Sequence, residues 1–128
     1  MGTASQSLPP EEAGCFALLA EAERANEYLY HVLDIGQHML QCGGEVSRVE
    51  DSIQRLCIAY GAERADVFTI TSSIVVTIYS HKFGALTQTR RISGQQYDLH
   101  RLELLNQLCR RTCGERLSLQ EMKKGLEE

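Results

Sequence analysis

Three charged side chains within six residues, Glu45, Arg48 and Glu50, carry the strongest chemical suggestion in this sequence. They follow Gly43-Gly44, where one helical pattern stops and another begins. Two carboxylates and a guanidinium at that spacing can contact an ion or a substrate, or latch onto a neighbouring part. Ordinary helix chemistry accounts for the same residues and is the preferred reading. Acids near a helix start favour its positive end, and Ser47-x-x-Glu50 fits a capping box. Val46 continues the apolar stripe of the second pattern, which favours a start before Ser47.

Other candidates are weaker. Arg90 and Arg91, with Lys82 nearby, could bind a carboxylate or a lipid phosphate, but three cations more readily solvate an edge strand. His31, His38 and Cys42 share a helix face, yet His31 and Cys42 lie some 16 Å apart along the axis at 1.5 Å per residue. Only His38 and Cys42 could chelate together, and two ligands do not make a metal site, so no metal or other cofactor is expected. Cys109 and Cys113 read as small buried thiols, since a disulfide within a regular helix is geometrically awkward. A hydrolase is the least favoured class: there is no G-x-S-x-G elbow, and no Ser, Cys or Thr is marked as an activated nucleophile.

Composition bounds the rest. At 128 residues, 43% hydrophobic and 23% charged, the chain is the size of one ordinary globular domain. The net charge of −4 is uneven. Residues 1–64 hold 10 acids against 4 bases and residues 65–128 hold 7 against 9, so neither half is basic enough for nucleic acid. Five cysteines with no CxxC spacing read as reduced thiols of a domain facing the cytoplasm. No apolar run approaches the about 20 residues of a membrane span, so the chain as given is expected to be soluble.

The elements that must position these residues follow from periodicity. Residues 1–10, with a Pro-Pro pair, read as a mobile tail ahead of a single domain over 11–128. A helix is expected within 11–25, open to continuing into the next. From Tyr28 to Cys42, Leu29, Val32, Leu33, Gly36, Met39 and Leu40 share one arc. From Val46 to Tyr60 the stripe is Val46, Val49, Ile53, Leu56, Cys57 and Tyr60, with Gly61 as the stop. Two such helices of similar length, joined by about two residues, predict an antiparallel hairpin. Three strands follow, over 65–72, 73–80 and 85–92, the second apolar on both faces and so central. Asp98 is the expected N-cap of a helix over Leu99–Cys113 that Gly114 closes. Its main stripe is Leu99, Leu102, Leu105, Cys109 and Cys113. Leu104 and Leu108 make a second ridge, expected to face a partner. Ser118-Leu119-Gln120-Glu121 fits a capping box for a short last helix. The order is ααβββαα, an α+β fold with a helical hairpin and a C-terminal helix on a three-stranded antiparallel meander.

With these residues in place, the chain from about Tyr28 to Leu126 resembles the soluble N-terminal domain of the threonine/serine exporter family. The marks are Gly43, Glu45, Arg48-Val49-Glu50, Tyr60-Gly61, Phe68-Thr69, Arg90-Arg91, Asp98-Leu99, Asn106 and the ending Gly114, Leu117-Ser118, Glu121. Val46 stands where the family usually has Thr. The resemblance implies a non-catalytic domain that gates or assembles a bundle of membrane helices. Such a transporter exports threonine, serine or related small metabolites by secondary active transport. The implied partners are that membrane-embedded part, in the same polypeptide or a partner subunit, a second copy of the chain, and a small amino acid as transported substrate. The implied location is the cell membrane in the full-length family, and this sequence ends at Glu128, about where the first membrane helix is expected. The alternative is a free-standing module that binds a protein or a small ligand without a transport role.

Overall fold

The computed structural model describes the backbone of residues 10–115 and 118–127, and the side chains of that stretch from Leu19 onward except that of Leu119. Residues 1–9 of the expected tail lie outside this range, and Pro10 is the first residue of α1. Pro suits that place because a helix's first N–H has no partner to lose.

The two helical patterns expected before Gly43 form one helix, α1 (Pro10–Gln41, 32 residues), followed by α2 (Val46–Ala59). Ala-, Leu- and Glu-rich sequence gives the chain no reason to stop between them. The hairpin is therefore unequal, with α1 more than twice the length of α2. Its direction shows in three contacts. Tyr28 stacks on Tyr60, Gly36 faces Ile53 and Gly44 faces Val49, so residue numbers rise on one helix as they fall on the other. A Cβ at Gly36 would stand 2.7 Å from Ile53 Cδ1, so the missing side chain sets how closely the helices approach.

Both helices end in the same way. Gly43 N–H donates to Leu40 O (3.1 Å) and Gly44 N–H to Met39 O (2.8 Å), with Gly43 at φ +102. Gly61 N–H donates to Ile58 O and Ala62 N–H to Cys57 O (both 3.1 Å), with Gly61 at φ +105. These paired bonds are Schellman motifs, which need a residue tolerant of positive φ and satisfy carbonyls that the helix end leaves free.

The sheet is the expected meander of β1 (Arg64–Ile70), β2 (Ser73–Ser80) and β3 (Gly84–Arg91), in the order β1-β2-β3 with both pairings antiparallel. On β2, Ile74, Val76, Ile78 and Ser80 are buried and alternate with half-buried Ser73, Val75, Thr77 and Tyr79. The inner row meets Leu29, Val32, Leu33, Ile35 and Met39 of α1 and Val49, Ile53, Leu56 and Cys57 of α2 in one core. Each large side chain withdrawn from water there stabilises the fold by roughly 1.5–3 kcal/mol. The outer face stays open, with Phe68 63% and Ile70 44% exposed.

α3 (Leu99–Glu115) and α4 (Leu119–Glu127) complete the ααβββαα order. Asp98 caps α3 as expected, its Oδ1 accepting the Arg101 N–H at 2.9 Å. The Ser118–Glu121 capping box also forms, Ser118 N–H donating to Glu121 Oε1 and Glu121 N–H to Ser118 Oγ. Three expectations for α3 need correction. Gly114 does not close the helix, which runs through it to Glu115. The buried stripe is Leu105, Leu108, Cys109 and Thr112, while Leu99, in the first turn, is 72% exposed. Leu104 and Leu108 form no common outer ridge: Leu104 is 41% exposed, whereas Leu108 is buried beneath α4. A Cβ at Gly125 would lie 2.6 Å from Leu108 Cδ1, so the glycine is what lets α4 settle there.

Candidate functional site

The three charges of the helix junction diverge. Glu45 is the N-cap residue of α2, with extended backbone (φ −70, ψ 135), and its carbonyl accepts the N–H groups of Arg48 and Val49. Its carboxylate accepts the Ser47 hydroxyl at 2.9 Å. Ser47 therefore does not cap, and the Ser47–Glu50 capping box is not formed. Glu50 turns the other way, its Oε2 accepting the Thr69 N–H at 3.0 Å. That N–H lies on β1, an edge strand, so Glu50 both pins α2 to the sheet and satisfies an edge donor that pairing leaves free.

Arg48 is left on the exposed side, and it lines a cleft between α2 and α3. The cleft has a volume of about 530 Å³. Arg48, Asp51, Ser52 and Arg55 line it from α2, and Asn106, Cys109, Arg110 and Cys113 from α3. Arg48 and Arg55 stand seven residues apart, two turns along one helix face. Asn106, Arg110 and Cys113 recur at the same helical spacing on α3. Arg55 is bound by Asp51 on its own helix at 2.9 Å. Arg110 meets Glu103 at 3.5 Å, with both side chains more than half exposed. Between the helices, the Cys109 thiol donates to Ser52 O at 3.9 Å. Burial pushes the Cys109 thiol up to about 12 and also raises Cys113. The floor of the cleft is thus neutral while its walls are cationic.

Arg90 and Arg91 separate as alternate residues of a strand must. Arg91 faces out and is exposed. Arg90 does not solvate an edge. Its side chain is only 16% exposed and is clamped against α1, donating to Asp34 Oδ1 (2.6 Å), Gln37 Oε1 (2.8 Å) and Tyr30 O (3.1 Å) and lying over the Tyr30 ring at 4.7 Å. Three N–H groups of this guanidinium are engaged inside the fold, which makes Arg90 a tie between β3 and α1.

The glycines and caps have structural work to do. Gly43 lies under the Tyr97 ring, where a Cβ would stand 2.7 Å from Tyr97 Cδ1. The segment before α3 is hung on the end of α1: Gln41 O accepts the Gln96 N–H at 2.8 Å, Cys42 O accepts the Asp98 N–H at 3.2 Å, and Gln41 Nε2 donates to Ser93 O. Among the described residues no group of three or more His, Cys, Asp or Glu is placed to hold a metal ion. His38 Nδ1 lies 2.7 Å from Asp34 O and His31 Nδ1 3.8 Å from Asp34 Oδ2, while Cys42 is buried in the core.

Sequence reasoning singled out Arg48 but missed Arg55 and Arg110, its companions in the cleft. Their helical spacings were visible, but the facing of α2 on α3 was not.

A family model for transporters matches residues 31–128. Its description is "Putative threonine/serine exporter" (ThrE), and the chain belongs to this family. Neither the curated proteins nor the solved structures give a match. No helix among the described residues is long and apolar enough to cross a membrane.

Proposed function

We propose that this chain supplies the extramembrane, cytoplasm-facing domain of a threonine/serine exporter, a non-catalytic unit that gates or assembles the membrane-embedded part. The carrying observation is the family match over residues 31–128, joined to the finding that no helix among the described residues is long and apolar enough to span a bilayer. On this reading its partners are the membrane helices, in the same polypeptide or a partner subunit, and a second copy of the domain. A small amino acid is the transported substrate. A non-catalytic role is supported by what the described reactive groups do. Cys57 and Cys109 are held as neutral thiols by burial and are poor nucleophiles in that state.

The test is export of labelled threonine and serine from cells carrying the complete transporter, compared with cells in which residues 31–128 are deleted. Loss of export with the membrane part still inserted is expected. Undiminished export without the domain would overturn the gating or assembly role. It would favour the second reading, a small-ligand-binding module without a transport role, to which the arginine-lined cleft lends a specific observation.

A further inference from the structure

We propose that the cleft between α2 and α3 binds a small anion bearing a carboxylate or phosphate group, held between Arg48 and Arg55 of one helix and Arg110 of the other. The proposal does not rest on the transport reading.

Charge is the first ground. Three guanidinium groups and one carboxylate line this concavity, in a chain whose formal net charge is −4. The one lining acid, Asp51, is bound to Arg55, and Arg110 meets Glu103 at 3.5 Å with both side chains more than half exposed. Arg48 is therefore the guanidinium with no carboxylate partner among the described residues. Guanidinium is suited to such a ligand because its planar fork offers two parallel N–H donors to a carboxylate or phosphate. Half-buried Ser52 and Asn106 line the same space and add polar groups that can fix a ligand's orientation.

The position of Arg48 is the second ground, independent of the cleft. Arg48 is the third residue of α2, in a first turn that contains no acid. A cation there faces the positive end of the helix dipole, where an anion would be favoured. Arg48 also has no ion-pair partner among the described residues. A residue that breaks a local rule without a compensating contact inside the fold is expected at functional sites. An anion in the cleft would give Arg48 the partner it lacks.

The floor is the third ground. Cys109 and Cys113 lie beneath the guanidinium groups, and burial keeps both thiols protonated, so they bring no competing negative charge. With Arg48 in the first turn of α2 and Arg110 well along α3, the walls can engage two ends of one small molecule.

Amide NMR titration of the 128-residue chain tests this. Malonate and inorganic phosphate are the probes, with sodium chloride at matched ionic strength as the reference. Saturable shifts at residues 47–55 and 106–113 are expected with at least one probe, and the tighter of the two assigns the carboxylate or the phosphate class. Arg48→Gln combined with Arg110→Gln should weaken that binding at least tenfold, and Arg48→Gln alone should weaken it measurably, while Arg64→Gln, outside the cleft, leaves it unchanged. Shifts that fail to saturate with both probes, or that chloride reproduces, would overturn the proposal. So would wild-type affinity in either the folded double variant or the exposed-site single variant.

Discussion

The Tyr97 ring lies against Gly43 so closely that a Cβ on the glycine would stand 2.7 Å from Tyr97 Cδ1. Gly43 also carries φ +102 at the end of α1, so two separate demands fall on one residue. Gly43→Ala should destabilise the chain by about 1–2 kcal/mol from the backbone conformation alone, and further from the ring. Adding Tyr97→Ala should recover only the steric part. Urea unfolding of the single and double variants separates the two contributions, and full recovery in the double variant would show the backbone demand to be absent.

Arg90 ties β3 to α1 through Asp34, Gln37 and the Tyr30 carbonyl. Removing one partner of a largely buried ion pair leaves the other charge unmatched, so Arg90→Ala should cost about 3 kcal/mol. Arg91→Ala, on the exposed neighbour, should stay within about 0.5 kcal/mol. Denaturant midpoints check the contrast, and equal losses at the two positions would contradict the structure.

Glu50 holds the Thr69 N–H of an edge strand. In Glu50→Ala that donor opens to water, and its amide exchange should accelerate by about tenfold or more if the bond contributes about 1.5 kcal/mol. The amides that β1 shares with β2 should change much less. Unchanged exchange at Thr69 would mean that the carboxylate does not protect it.

The thiols should differ in reactivity. Burial pushes Cys57 up to about 12 and leaves it 0% exposed, while Cys113 is partly open to the cleft. Since the thiolate is the reacting form, Cys113 should react with maleimide in the native state near pH 8, and Cys57 only on unfolding. Mass spectrometry in a Cys15→Ser background reads the order. Native labelling of Cys57 at the rate of Cys113 would be inconsistent with this core.

Glu63 accepts from both the ring and the backbone N–H of His81, and these bonds hold its carboxyl below the ordinary value. A lowered carboxyl pKa contributes stability above the unfolded value that is lost as pH falls through the folded one. The pair is on the surface, so the effect on unfolding is slight and the titration itself is the better measure. In His81→Ala, the Glu63 carboxyl carbon should titrate at higher pH in NMR, nearer the ordinary value.

The elements were legible where the pattern was local. The apolar period of α2, the Val- and Ile-rich β2, the Asp98 cap and the Ser118–Glu121 box each depend on residues within a few positions of one another. What escaped depends on which surfaces meet. Arg90 reads as a solvated edge residue until Asp34, 56 positions away, comes beside it. Leu108 reads as an outer ridge until Gly125 lets α4 cover it. Gly114 reads as a stop because helices commonly end at glycine, yet here the next residue remains helical. The cleft failed to show for the same reason as Arg90: its charges lie on two helices whose facing is a tertiary fact.

The hydrogen bonds from Gln96 and Asp98 to the carbonyls of Gln41 and Cys42 fasten the start of α3 to the end of α1. α3 then runs alongside α2 in the same direction, with Cys109 beside Ser52 and Cys113 further along. α3 is held again further along, where Leu108 is buried against Gly125 of α4 and the Arg101 guanidinium donates to Leu126 O. One wall of the arginine cleft is therefore braced from two sides, by the end of α1 at its start and by α4 along its length.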